Sequence, residues 1–196
     1  LQQGAQKIVV LDADGQHVRH GAAPSLPAFY TQALDGARIG PGVGSCGTAA
    51  YTAQRVIVED IASHPWWVPF ATLAREAGLA ACWSQPIVSA QGQVLGTFAI
   101  YHRQPIAPTA QDLQLIEDEA RLASVVIEKT RAEDRLQLAA GVFSHAREGI
   151  VITDTQPLIV EVNAMFTQIT GYSREEALGQ NPRTLLQSGR HGDDFY

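Results

Sequence analysis

The sequence predicts an α+β protein in three parts: an antiparallel-sheet domain over residues 1–108, a long connecting helix over 109–145, and the first half of a smaller α+β domain over 146–196. Three observations predict it. Short β-rich apolar runs alternate with tight-turn signals and short helical stretches through the first part. A charged segment with apolar residues three and four apart follows. After Gly149 the β-type pattern returns.

In order, Lys7 to Leu11 is a β-rich run, Asp14-Gly15 is a hairpin turn and His17 to Ala23 returns as a second strand. Leu26 to Leu34 has helical spacing, with Leu26, Phe29, Tyr30 and Ala33 on one side. Ile39 to Ser45 is a glycine-rich loop, with Ser45 placed to cap a short helix from Cys46 to Ala53. Arg55 to Ile61 is a strand, His64 to Pro69 an aromatic loop, and Phe70 to Ala77 a helix stopped by Gly78. Ala80 to Val88 and Gln93 to His102 form a second hairpin. Five strands with helices between them describe one antiparallel sheet.

Pro105 and Pro108 close that part, and Thr109 with Asp112 makes a capping-box-like start to the long helix. Apolar residues at 113, 116, 120, 123 and 127 form a heptad seam, and Leu115, Leu122, Val126, Leu136, Ala140 and Phe143 a second line. Eleven of the 28 residues in 109–136 are charged, so the outer face is solvated. Two readings stand: a lone helix packed on its own sheet, or a dimeric signalling helix joining two copies of the chain. Beyond it, Gly149 to Asp154 and Leu158 to Val162 read as strands. Asn163 caps a helix carrying Phe166 and Ile169, Gly171 ends it, and Ser173 to Glu176 is a second capping box.

Composition narrows the function. Charged residues are 17% of the 196, against an average near ~25%. The net charge of −6 falls on residues 109–196, while residues 1–108 balance six basic against six acidic side chains. Neither nucleic acid nor an anionic membrane surface is an expected partner. No apolar run reaches the ~18–20 residues of a membrane span. Two cysteines, Cys46 and Cys82, are too few for a disulfide framework or a four-thiolate zinc site, and a reducing cytoplasm is the expected compartment. The start at Leu1 and the unfinished pattern at Tyr196 suggest a fragment.

The first part resembles a GAF domain. The resemblance is carried by Asp14-Gly15, His20 to Pro27, Ile39-Gly40-Pro41, Gly44 to Tyr51, Val56 to Ile61, Ala81 to Ile87 and Val94 to Phe98. The last part is similar to the N-terminal half of a PAS domain, through Glu148-Gly149-Ile150, Ile152-Thr153-Asp154, Val162-Asn163, Phe166, Ile169 to Ser173, Glu176, Leu178-Gly179 and Asn181-Pro182-Arg183. Ser188 to His191 with Phe195-Tyr196 is like PAS domains of cyclic-di-GMP signalling proteins. The resemblance implies a bacterial sensory fragment. A small ligand in the GAF domain would act through the helix on an output domain outside this chain, a cyclic-di-GMP cyclase or phosphodiesterase.

The expected ligand-binding residues are Ser45, Cys46, Tyr51, Trp66, Trp67, Trp83 and Phe98. They come from the glycine-rich turn and its helix, whose free N–H groups suit an anion, from the Trp66-Trp67 loop, and from the inner strands. No catalytic residue and no metal ligand set is expected, and the residues name no cofactor. His17 and His20, three apart on a strand, face opposite sides. Gly44 to Gly47 with Glu59, Asp60 and Pro65 echoes free methionine-(R)-sulfoxide reductases, but Trp66, Trp67 and Val68 stand where that family needs further thiols. Pro182 replaces the adduct-forming cysteine of flavin-binding relatives, and His191 is the remaining haem-ligand candidate. A dimerisation module with an empty pocket is the other alternative.

Overall fold

The computed structural model describes residues 4–186; His191 and the Ser188 to Tyr196 tail fall outside them. Two compact units divide between Thr130 and Arg131. In the first, β1 (Ala5–Leu11), β2 (Val18–Ala22), β3 (Val56–Val58), β4 (Ala81–Val88) and β5 (Val94–His102) form one sheet in the order β2-β1-β5-β4-β3. Every pairing is antiparallel. The alternation of β-branched runs with Asp-Gly and Gln-Gly turns produces the two hairpins, β1–β2 and β4–β5.

Register decides which residues meet. Lys7 lies opposite Ala99 and Ala99 opposite Ser84, while Ala5, Tyr101 and Cys82 make the next row on the same face. Ile8, Phe98 and Gln85, and then Ile100 and Trp83, belong to the other face. Close approach of β1 to β5 requires a glycine at 96. A Cβ there would lie 2.1 Å from the Val9 carbonyl oxygen, well inside contact distance.

One face is covered by α1 (Ala28–Leu34), α2 (Gly44–Thr52), a 3₁₀ turn (Pro65–Phe70) and α3 (Ala71–Glu76). Its core includes Leu26, Tyr30, Ala49, Val58, Trp67 and Tyr101. The opposite face carries α4 (Ala110–His145), whose Ile116, Ala120 and Ala123 bury against Trp83, Ile87, Leu95, Phe98 and Ile100. The heptad seam of the sequence is therefore the stripe that packs α4 on its own sheet. Of the second line, Leu122 at 63% and Val126 at 64% exposure stay outside with Leu136 and Ala140, while Leu115 and Phe143 are half-buried. Thr109 and Asp112 cap α4 reciprocally, the Thr109 N–H donating to Asp112 and the Asp112 N–H to the Thr109 hydroxyl. Arg55 ties the sheet to the helix through Gln85 and, at 3.0 Å, Glu117.

Two local expectations change. Ser45 lies inside α2 rather than capping it; Val43 holds the cap position without a side-chain hydrogen bond. The aromatic loop is the 3₁₀ turn, opened by His64 Nδ1 accepting from the Trp66 N–H.

In the second unit β6 (Val151–Thr153) pairs with β7 (Ile159–Val162), followed by α5 (Ala164–Thr170), α6 (Arg174–Ala177) and α7 (Pro182–Leu186). Ile159, Val162, Phe166 and Ala177 form its core. Asn163 satisfies its whole amide: Oδ1 accepts from the Ile150 and Phe166 N–H groups, and Nδ2 donates to the Phe143 and Glu148 carbonyls. The Ser173–Glu176 capping box forms, and Arg174 clasps Glu161 with two hydrogen bonds of 2.7 and 2.8 Å. The helix α7 has no counterpart in the sequence reading.

Candidate functional site

Between the sheet and its α1–α2–3₁₀ cover lies a cavity of about 50 Å³. Strands β1 and β5 supply Lys7, Val9 and Tyr101; α1 supplies Tyr30 and Leu34; the opening of α2 supplies Gly44, Ser45 and Cys46; the 3₁₀ turn supplies Trp67 and Phe70. Gly44 enters α2 with φ +54°, in the left-handed region open to glycine at little cost. Gly44, Ser45, Cys46 and Gly47 of that opening turn line the cavity, and the first N–H groups of a helix have no partner within it.

Aromatic packing shapes the floor. Tyr101 meets Tyr30 edge-on at 5.8 Å and Trp67 at 6.4 Å. The Trp67 indole N–H donates to Ser45 Oγ at 3.1 Å, which fixes the ring against the start of α2. Cys46 Sγ lies 3.5 Å from the Tyr101 hydroxyl.

The polar groups here are unusual for an interior. Lys7 is 3% exposed, and its ammonium sits over the Tyr30 ring, 5.3 Å from the centroid. Burial holds its pKa below the ordinary lysine value, opposed by the Cys46 and Cys82 thiols and by the Asp35 carboxylate. Hydrogen bonding with Cys82, aided by the Lys7 charge, draws the Cys46 thiol down to about 5, whereas burial pushes Cys82 up. Burial also raises both Tyr30 and Tyr101. The Tyr30 hydroxyl, which neighbours that of Tyr101, and on the same face of the sheet Ser84, which neighbours Cys46, and Thr97 are buried without a well-formed hydrogen bond.

Of the seven residues expected from the sequence, Ser45, Cys46 and Trp67 line this cavity. Trp83 and Phe98 do not, because strand parity turns them to the opposite face under α4. There the Trp83 indole N–H donates to the Ile106 carbonyl at 3.2 Å, and its ring lies on His102 at 4.3 Å. Tyr51 is 58% exposed on α2, and Trp66 sits outside against Gly42 and His64. Lys7, Tyr30 and Tyr101 were missed. The signal for Lys7 was its parity with Val9 and Leu11, two buried residues of the same strand.

Among the described residues one cluster has metal-ligand atoms close together, Asp12, Asp14 and His17 at the exposed β1–β2 turn. Asp14 is held down to about 2 by hydrogen bonding with Asp12 and the Gln16 N–H. Hydrogen bonds within the hairpin account for that cluster. Among the same residues no helix is long and apolar enough to cross a membrane.

A five-stranded antiparallel sheet with a small cavity under one cover and a long helix on its other face is the architecture of a GAF domain. The chain belongs to the GAF domain family, whose sequence profile matches residues 2–128, and a PAS fold follows over 138–194. It is similar to the methyl sulfide methyltransferase-associated sensor of Methanosarcina acetivorans, 33% identical over 186 residues. That match covers 92% of this chain, which spans 19% of the relative. A domain described as from a two-component sensor histidine kinase protein of Sinorhizobium meliloti superposes with TM-score 0.56 at 22% identity, covering 70% of this chain and 87% of that one. The type II free methionine-R-sulfoxide reductase of Thermoplasma acidophilum superposes at 0.50 with 18% identity, over 65% and 81%. Both are likenesses of fold.

Proposed function

We propose that this chain senses a small ligand in the GAF cavity and passes the result along α4 to an output domain elsewhere in the protein, without itself catalysing a reaction. The observation that carries this reading is the shared strand β5. Tyr101 faces the cavity while its neighbour Ile100 packs under α4. A ligand that favours one setting of β5 shifts the population of helix positions by its differential affinity for the two settings. The Arg55–Glu117 ion pair gives the helix a second hold on the sheet.

The relative from Methanosarcina is named a sensor, which supports the sensing role. The proposed output, from the PAS resemblance, is cyclic-di-GMP synthesis or hydrolysis, and the proposed compartment is the cytoplasm. The proposed partner is a second copy of the chain, meeting α4 along Leu122, Val125 and Val126, an apolar stripe 63–64% exposed. Leu122→Glu is expected to halve the mass seen by light scattering while leaving the circular dichroism spectrum unchanged. A monomeric wild type would remove the dimer from the proposal.

Native mass spectrometry of the freshly purified chain, with an absorbance spectrum of the same sample, tests the sensing role. Added mass lost on denaturation is the expected result. A bare mass, with no small molecule shifting the melting temperature, would overturn it.

A further inference from the structure

We propose that the ligand of this cavity is a short-chain organic monocarboxylate, its carboxylate held by the Lys7 ammonium and the Tyr30 hydroxyl and its hydrocarbon end set against Val9, Leu34 and Phe70. This rests on the ligand-sensing reading above and names the chemical class that reading leaves open.

The cations at the cavity favour an anionic ligand. Among the described residues lining the cavity are two cations, Lys7 inside and Arg38 in exposed position, and no carboxylate. The opening turn of α2 adds the partial positive charge of a helix N-terminus on the same wall. A lysine almost fully buried normally has a carboxylate partner. Among the described residues none forms an ion pair with Lys7; a tyrosine ring lies beneath its ammonium instead. The acidic groups that act on it are the Cys46 and Cys82 thiols and, more weakly, the Asp35 carboxylate, and Cys46 is itself drawn towards the thiolate by hydrogen bonding with Cys82 and by the Lys7 charge.

Hydrogen bonding points the same way. The Tyr30 hydroxyl is buried without a well-formed hydrogen bond, the Tyr101 hydroxyl being its neighbour, and a buried unsatisfied hydroxyl in a native interior calls for an explanation. An anionic oxygen accepts from it and from Lys7 together. Volume and lining set the rest. About 50 Å³ accommodates a body of roughly four water-sized groups, which corresponds to about two to four carbons. The walls beside Lys7 are mostly apolar, so a hydrocarbon end is matched better than a second charged group.

The test uses the whole 196-residue chain, freed of small molecules by dialysis, with acetate, propionate and butyrate as probes and nitrate and inorganic phosphate as controls. Calorimetric titration is expected to show saturable carboxylate binding, weakened at least tenfold by Lys7→Met and several-fold by Tyr30→Phe. Because Tyr30→Phe keeps the ring, it decides the matter should Lys7→Met fail to fold. Carboxylate binding within twofold of wild type in both variants would overturn the assignment. Lys7-dependent binding of nitrate or phosphate without the carboxylates would overturn it in favour of an inorganic oxyanion. The native mass of the same preparation separates the two readings: a retained neutral molecule overturns the monocarboxylate and leaves ligand sensing standing, whereas no ligand of any kind overturns both.

Discussion

Lys7 is a charged residue folded into a place that suits an aliphatic one. Its row on the sheet continues to Ala99 and Ser84, and the strand that carries it buries Val9 and Leu11 on the same side. Lys7→Met keeps the unbranched stem and removes a desolvated charge, so the ligand-free variant is expected to be more stable at neutral pH by roughly 1–2 kcal/mol. The folded-state pKa lies below the ordinary 10.5, so in that interval the unfolded chain binds more protons and stability rises with pH. The gap between variant and wild type therefore narrows as pH approaches 10.5, a trend that thermal melts across pH would follow. Cys46 gives a second readout. With its thiol drawn below the ordinary thiol range, alkylation by iodoacetamide is expected to reach half its maximal rate well below the pH at which an unperturbed cysteine does. Lys7→Met raises that midpoint by removing a stabilising charge, and peptide mass spectrometry would find Cys82 unmodified in the folded protein.

The elements show what a sequence discloses and what it withholds. The two hairpins follow from alternation and turn residues, whereas the β1–β5 pairing that joins them is long-range, and the PAS-type caps at Asn163 and Ser173 form as their side chains predict. The cavity was half legible. Glycines before a short helix point to Ser45 and Cys46, but Trp83 and Phe98, also expected in the site, face away from it because residues on a strand alternate between its two faces. Tyr30 is seen only when α1 is folded over β1, a long-range contact that local pattern does not encode. On α4, regular apolar spacing reveals an apolar stripe without naming the surface that covers it. The surface is the protein's own sheet, which buries Ile116 completely. Gly96 tests the sheet at its tightest point. Gly96→Ala sets a methyl group against the β1 backbone, so a loss of about 2–3 kcal/mol is expected in denaturant melts. Carboxylate binding should weaken with it, since the displaced strand carries Lys7.

At the scale of the molecule, the division between the two units falls inside α4, between Thr130 and Arg131. Residues 110–130 of that helix belong to the sensing unit, so ligand is expected to slow hydrogen exchange of their amides. Unchanged exchange there, with a saturated cavity, would separate binding from signalling. The sheet between cavity and helix has a further consequence for how such a sensor diversifies. Because β5 forms the floor of one compartment and the ceiling of the other, a substitution on it that changes which molecule is preferred also resets the resting position of the helix. Taste and volume are adjusted by the same screw. Residues of the cover, Tyr30, Leu34, Val43 and Phe70, border the cavity without joining the packing under α4. A lineage, or an engineer, that wanted the same response to a new molecule would work on that lid and leave the floor alone.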